Sequence, residues 1–260
     1  MINVLTSYHN HTARCNHAEG SEEEYILHAI KHGYEEFGFS DHAPHCFNEA
    51  LSGSRMTPDE LPLYVADITR LKEKYASDIK IRIGLELEYY PYYHKLDMES
   101  YRAAGIEYLI LGQHLVGYRE PGVYRSSFGF TSKNEDYTAY VDQCIEGLRL
   151  GCFSYFAHPD VFKYKGDDDF YRAESDRLII TARELGIPLE FNLYGMIDNR
   201  NYPNPLFWER VGALGAKAVI GRDAHKVSRV HDDNEIAMAL AFADKYKLDL
   251  IDRIGMPEKI

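Results

Sequence analysis

In the stretch VLTSYHNH, residues 4–11, a short apolar, strand-like run leads directly into two histidines. Side chains alternate along a strand, so His9 and His11 point to the same face. Two imidazoles on one face are a common pair of ligands for first-row transition metals. Alone, such a pair is weak evidence for a metal site, and its meaning depends on what the other strand-like runs carry.

The same arrangement recurs along the chain, where five further apolar runs lead into residues of the metal-ligating types. These runs are FGFSDH (37–42), IRIGLE (81–86), YLILGQH (108–114), FSYFAHPD (153–160) and AVIGRDAH (218–225). The candidate metal ligands are His9, His11, His17, His42, Glu86, His114, His158, Asp223 and His225. Any one of these motifs can be explained by a histidine buried in the core without a metal. Their repetition at successive strand ends instead predicts a polynuclear metal site.

Two alternatives stay open within this set. A carboxylate can bridge two cations, and Glu88 lies on the same face of its strand as Glu86. Glu86 is preferred because it directly follows the apolar run. Cys15 lies between His11 and His17 and offers a soft ligand. A buried thiol without a metal role is the favoured interpretation, because histidine ligands are already in excess there.

Strand-like and helix-like segments alternate over the whole chain. The predicted strands are 3–8, 36–40, 79–88, 107–111, 153–157, 188–192 and 217–221. The predicted helices are 21–33, 58–76, 97–104, 134–150, 171–185, 204–214 and 231–246. Repeated βα units indicate an α/β fold with a parallel sheet. A closed or nearly closed barrel is favoured over an open doubly wound sheet, because almost every strand end carries a candidate ligand.

Length and composition set the broad class. A chain of 260 residues without a linker-like stretch suits a single α/β barrel, predicted as one domain over 1–260. The net charge of −12 makes long nucleic acid a poor partner, although bound cations would still attract a small phosphorylated substrate. Four cysteines without a CxxC pair predict reduced thiols and a cytoplasmic protein. No signal peptide or membrane span is predicted.

The ordered set of motifs resembles one known family. HxH, then His17, SDH, GxE, QH, AHPD and DxH together resemble the PHP (polymerase and histidinol phosphatase) family, from His9 to His225. The resemblance implies a distorted (β/α)7 TIM-like barrel with three divalent metal ions at the C-terminal rim. It implies His9, His11, Glu86 and Asp223 as ligands of the first ion, Glu86, His114 and His158 of the second, and His17, His42 and His225 of the third. Zn, Fe or Mn suits such nitrogen and oxygen ligands.

Within this family the chain is similar to the stand-alone histidinol-phosphate phosphatases of the HisK type. The similarity lies in LEFN (189–192) with Gly195, Arg200 and Tyr202-Pro203, and in AHPD followed by Phe162-Lys163. Two departures are Lys163, where some members have arginine, and Gln113, where a small residue is common. The resemblance implies hydrolysis of L-histidinol phosphate to L-histidinol and phosphate, a step of histidine biosynthesis.

The predicted mechanism uses a hydroxide shared by two cations that Glu86 bridges, with Asp223 completing the site. Arg200 and Lys163 are expected to orient the phosphate, and Arg125 is a weaker candidate. The leaving oxygen needs a proton or a cation. The third metal ion, Asp160 or His45 could provide it, and Asp160 has the alternative role of orienting a ligand imidazole.

Two other functions remain open at this point. A PHP-type phosphoesterase that acts on nucleotides or short oligonucleotide ends is the runner-up. A metal-binding regulatory module without turnover belongs to a different class. It would need broken ligands or a blocked entrance, whereas the expected ligands are all present in the sequence.

Overall fold

Eight parallel strands form the central sheet of the computed structural model, which describes residues 4–46, 53–120, 122–257 and 260. Their spatial order is β1-β2-β3-β4-β7-β8-β9-β10. The strands of this sheet are β1 Thr6–Ser7, β2 Glu36–His42, β3 Lys80–Leu87, β4 Tyr108–Leu111, β7 Tyr155–Phe156, β8 Leu189–Asn192, β9 Lys217–Gly221 and β10 Asp249–Leu250. A separate antiparallel hairpin consists of β5 Leu115–Gly117 and β6 Tyr124–Ser126.

Helices connect the strands and pack against the sheet through their apolar faces. They are α1 Glu22–Lys31, α2 Leu61–Lys74, α3 His94–Ala104, α4 Asn134–Leu148, α5 Asp168–Glu184, α6 Leu193–Ile197, α7 Pro205–Leu214 and α8 Asp233–Tyr246. The start of α1 has the predicted capping box, in which Ser21 and Glu24 each accept a hydrogen bond from the other's backbone N–H. None of the helices in the described ranges is long and apolar enough to cross a membrane.

The two edges of the sheet meet, which makes the curled sheet a distorted barrel. At the C-terminal rim, the His11 N–H donates to the Ala224 carbonyl at 3.0 Å, and the Ala224 N–H donates to the His9 carbonyl at 3.3 Å. At the opposite end, the Leu5 N–H donates to the Asp252 carboxylate at 3.0 Å. The prediction of a distorted TIM-like barrel is confirmed, and the segments that follow β1 and β9 lie side by side at the rim.

The seven predicted strands and seven predicted helices all occur, with bounds identical for β9 (Lys217–Gly221) and shifted at one or both ends for the others. β10 was not predicted, because a two-residue strand that begins with Asp249 gives no apolar run. α6 and the β5–β6 hairpin were not predicted either, and the hairpin lies between the predicted strand 107–111 and the predicted helix 134–150. Residue 3 of the first predicted strand lies outside the described residues.

The barrel interior is filled by aromatic and aliphatic side chains below the rim. Tyr108 is fully buried there, and its hydroxyl donates to the carbonyls of Tyr8 at 2.6 Å and Phe39 at 3.1 Å. A Cβ atom added at Gly84 would lie 2.3 Å from the Tyr108 ring, so only glycine allows this ring to fit. This filling leaves the rim as the end of the barrel where polar side chains gather.

We therefore expect Gly84→Ala to lower the free energy of unfolding by about 1–3 kcal/mol through overpacking against Tyr108. Urea denaturation measures this difference. Gly255→Ala is the matched control, because a Cβ atom there meets nothing within 4 Å. Equal stability of the two variants would contradict the packing described for Tyr108.

Candidate metal centre

The predicted ligands converge on one cavity at the C-terminal rim of the barrel. The cavity has a volume of about 520 Å³. The predicted ligands that line it are His17, His42, Glu86, His114, His158, Asp223 and His225. His9 and His11 lie behind this lining and are fully buried. The structure thus brings together all nine positions from the ends of different strands, as expected where parallel strands share one mouth.

Glu86 lies at the centre of the cluster, and its two carboxylate oxygens face different histidines. Oε1 lies 2.8 Å from His158 Nε2 and 3.3 Å from His114 Nε2. Oε2 lies 2.7 Å from His42 Nδ1, 3.7 Å from His9 Nε2 and 3.8 Å from His11 Nε2. A carboxylate placed in this way can hold two cations, one at each oxygen.

Asp223 supplies the second carboxylate of the cluster. Its Oδ1 lies 3.0 Å from His11 Nε2 and 3.5 Å from His9 Nε2. The backbone at Asp223 has φ of +50°, and that at His158 has φ of +30°, a region that residues with a Cβ atom rarely occupy. Strained backbone of this kind costs about 1–3 kcal/mol and is concentrated at functional sites.

His17, His42 and His225 form a second grouping beside the first. The His17 ring centroid lies 4.6 Å from that of His225 and 5.4 Å from that of His42. The His11 ring lies between His42 and His225, at 4.4 and 4.1 Å. Cys15 is fully buried next to these rings, and burial together with the charge of Asp41 raises the pKa of its thiol to about 12. The thiol is therefore protonated at neutral pH.

The chemistry of this donor set fits divalent metal ions. Among the described residues, His9 Nε2 and His225 Nε2 are buried and lack a hydrogen-bond partner. His11 Nε2 and Glu86 Oε2 have no hydrogen bond of good geometry either, although Asp223 Oδ1 and His42 Nδ1 lie 3.0 and 2.7 Å from them. Each such atom costs about 1–3 kcal/mol when left without one. A cation would satisfy them, and groups of three donors such as His9, His11 and Glu86 lie within 4.8 Å of one another.

The charge states of the ligand histidines fall into two groups. Burial lowers the pKa of a histidine, but the nearby carboxylates outweigh burial and raise the pKa of His11 to about 9, that of His114 to about 10 and that of His9 well above its ordinary value, so a cation would displace a proton from each. Burial and the nearby positive charge of His11 lower the pKa of His42 to about 4 and that of His225 to about 3. Both imidazoles are therefore neutral at pH 7, which is the form that binds metals. Burial by itself would raise the pKa of Glu86, but the surrounding histidines hold it well below its ordinary value. Glu86 is therefore a carboxylate.

A further layer of carboxylates orients the histidines. Glu190 Oε1 lies 2.7 Å from His9 Nδ1, and its Oε2 accepts from the His158 backbone N–H at 3.0 Å. Such partners fix the ring orientation and the basicity of a ligand imidazole. No role was predicted for Glu190. Its signal was present, because a lone acidic residue inside the buried strand LEFN needs a polar partner.

Glu88 has a different role from Glu86. Its carboxylate receives both terminal nitrogens of Arg55, at 2.8 and 2.9 Å, and contacts His114 Nδ1 at 3.0 Å. It therefore positions His114 from outside the cluster, and the preference for Glu86 as the central carboxylate agrees with this geometry. Gly112 makes room for Glu86, because a Cβ atom there would lie 2.1 Å from Glu86 Oε1.

The two residues suggested as proton donors do not line the cavity. Asp160 is buried and accepts from the Asn204 backbone N–H at 2.5 Å and from Trp208 Nε1 at 2.9 Å, so it holds the start of α7. His45 is buried between Asp97, at 2.7 Å, and Glu88, at 3.1 Å. Neither position suits a group that must reach the leaving oxygen of a substrate, and we correct both assignments.

Of the three basic residues expected at the phosphate, only Arg200 lines the cavity. Its guanidinium lies over the Tyr194 ring, 4.3 Å from the ring centroid. Arg125 instead pairs with Asp136 and is half exposed, and Lys163 is outside the lining. The assignment of Arg125 is corrected, whereas that of Lys163 remains a prediction. Lining residues that the sequence analysis did not name include Ser54, Arg55, Leu115, Tyr124, Ser126 and Phe128.

Comparison with known proteins identifies the family. The family model described as "PHP domain" matches residues 7–193, and the chain therefore belongs to the PHP domain family. The resemblance inferred from the motif order is thereby confirmed.

Individual relatives extend the match over most of the chain. A Deinococcus radiodurans protein named "Probable histidinol-phosphatase" is 27% identical over 243 residues, 87% of this chain and 88% of the relative. A Lactococcus lactis protein named "Histidinol-phosphatase" is 23% identical over 234 residues, 85% of this chain and 84% of the relative. The crystal structure of the Lactococcus lactis histidinol phosphate phosphatase HisK, complexed with zinc, L-histidinol and phosphate, superposes with a TM-score of 0.74. It is 21% identical, and the match covers 97% of this chain and 99% of that one.

Replacement of the central carboxylate tests the geometry. We expect Glu86→Gln to lower the number of metal ions retained per chain, because a neutral amide cannot serve both halves of the cluster. Metal analysis of the dialysed protein measures this number. Glu107→Gln, at the opposite end of the barrel beside Lys72, is the matched control and should keep the wild-type content. Full metal content in Glu86→Gln would contradict a central role for this carboxylate.

Proposed function

We propose that this protein is a metal-dependent phosphomonoesterase that hydrolyses L-histidinol phosphate to L-histidinol and phosphate. The observation that carries the proposal is the placement of Glu86, whose two oxygens each face their own histidines at the mouth of the barrel. The names of the relatives, and the zinc, histidinol and phosphate bound by the Lactococcus lactis protein, support the same substrate for this chain.

The donor set supports three divalent ions, of which Zn, Fe or Mn fits the nitrogen and oxygen ligands. Bound ions would lower the pKa of water from 15.7 to about 7 and offset the negative charge of a phosphate. We propose three groups of ligands. The first is His9, His11, Glu86 and Asp223, the second is Glu86, His114 and His158, and the third is His17, His42 and His225.

The side chains of the cavity would hold and orient the substrate. Arg200 offers a planar fork of donors to the phosphate, and its contact with Tyr194 keeps the guanidinium in place. The β5–β6 hairpin contributes Tyr124 and Ser126 to the wall, and Phe128 follows it with its ring 5.7 Å from that of His114. This wall offers apolar contact and a hydroxyl to the organic part of a substrate.

The cavity favours a small substrate over a polymer. Its volume of about 520 Å³ lies in the range of sites for small molecules. The net charge of −12 repels long nucleic acid outside the cavity. The four cysteines are unpaired, which fits a reducing compartment such as the cytoplasm. We propose that the whole chain acts as one domain in this setting.

The substrate assignment has a direct test. We expect kcat/KM for L-histidinol phosphate to exceed that for p-nitrophenyl phosphate, nucleotide monophosphates and short oligonucleotides, because only the first matches both the cavity and the relatives' activity. Steady-state kinetics on the metal-loaded enzyme measure the ratio, and a chelator should abolish turnover. If L-histidinol phosphate is cleaved no faster than the aryl phosphate, the substrate assignment fails while the phosphatase assignment stands.

The role of Arg200 is tested by Arg200→Met. Loss of a charged hydrogen-bonding partner costs about 1.5–3 kcal/mol, so kcat/KM should fall about 10- to 100-fold. Arg172→Met, on the surface of α5 beside Asp169, is the control and should retain wild-type kinetics. Unchanged kinetics in Arg200→Met would remove this residue from the phosphate site, and metal content should be unaltered in both variants.

A further inference from the structure

Three histidines that the rim does not use lie against one another on the outside of the barrel. His28 is in the last turn of α1, His32 follows its end, and His231 precedes α8. The ring centroids of His28 and His32 are 4.6 Å apart, and those of His32 and His231 are 4.1 Å apart. The cluster thus joins two segments that are distant in sequence.

Two nitrogens of this cluster lack a hydrogen-bond partner among the described residues. They are His28 Nε2 and His231 Nδ1, and both atoms are buried although the cluster is at the surface. The other nitrogen of His231, Nε2, lies 3.1 Å from the carboxylate of Asp233. An imidazole that donates one N–H to a carboxylate and leaves its other nitrogen free has the arrangement found in metal-ligating histidines.

The spacing of the pair on α1 also suits a metal. Residues four apart on a helix lie on the same face, so His28 and His32 can approach one cation together. The ordinary pKa of histidine, about 6.5, leaves imidazoles mostly neutral above pH 7 and able to bind metals. His231 supplies a third nitrogen from a separate segment, and three imidazoles suit Zn²⁺ better than Mg²⁺ or Ca²⁺.

We propose that His28, His32 and His231 form an additional Zn²⁺ site, separate from the rim cluster. The ion would link α1 to the segment that follows Asp223 and His225. The two segments already touch, because the Tyr34 hydroxyl donates to the Val230 carbonyl at 3.0 Å. The site therefore stabilises the connection behind one edge of the rim without taking part in the reaction.

Metal counting on the full chain tests the site. The wild type, loaded with Zn²⁺ and dialysed against a fixed free Zn²⁺ concentration, should retain one more ion per chain than His32→Asn. His94→Asn, which changes a histidine of α3 outside both clusters, is the matched control and should equal the wild type. Equal Zn²⁺ content in the wild type and His32→Asn overturns the proposal.

Two further variants keep the test decisive. If His32→Asn does not fold, His231→Gln should show the same loss of one ion. Asp233→Asn should weaken the binding of this ion about 10-fold, the lower end of the effect of removing the carboxylate partner of a ligand histidine. Unchanged affinity in Asp233→Asn together with retained Zn²⁺ in His231→Gln would overturn the assignment.

The result is independent of the proposed phosphatase activity. In the Glu86→Gln background, where the rim is expected to lose metal, the outer cluster should still bind one Zn²⁺. The thermal midpoint of that variant should rise with added Zn²⁺, and the rise should be smaller when His32→Asn is added. An undiminished rise in the double variant would assign the binding to other residues and overturn the proposal.

Discussion

The buried negative charge of Glu86 is the constraint on which the rest of the rim depends. A carboxylate enclosed by protein must be compensated, because an isolated buried charge is far costlier than one in water. Histidines contact both of its oxygens, among them His158 at 2.8 Å and His42 at 2.7 Å. In the metal-loaded protein, cations would take over this compensation, so the same geometry serves stability and chemistry.

The barrel provides the positions that this arrangement needs. Parallel strands end at a common rim, and closure of the sheet between His11 and Ala224 brings the first and last ligand segments side by side. The tyrosine-filled interior supports this rim from below, and Glu190 holds both His9 and His158 from behind. The donors are thus preorganised by packing and by carboxylates that do not themselves line the cavity.

Much of the fold and of the ligand set was predictable because its signals are local. Alternation along the extended segment that continues β1 fixes the common direction of His9 and His11, and the apolar runs mark the strands. Some site predictions were wrong because the type of a residue does not fix the contacts of its side chain. Asp160 is a carboxylate near a ligand, yet it accepts from Trp208 and the start of α7. Arg125 is basic and lies on the hairpin beside the cavity, yet it pairs with Asp136 in the first turn of α4.

The sequence by itself determined the class of barrel, the family and the nine candidate ligands, because periodicity and motif order are properties of neighbouring residues. The different surroundings of Glu86 and Glu88 follow only from the tertiary structure, since alternation places both on the same face of the predicted strand 79–88. The contact that distinguishes them is made by Arg55, whose guanidinium donates two hydrogen bonds to the carboxylate of Glu88. Tertiary contacts likewise place Arg200 at the cavity and pair Arg125 with Asp136. Charge pairing of this kind leaves no periodic signal in the sequence.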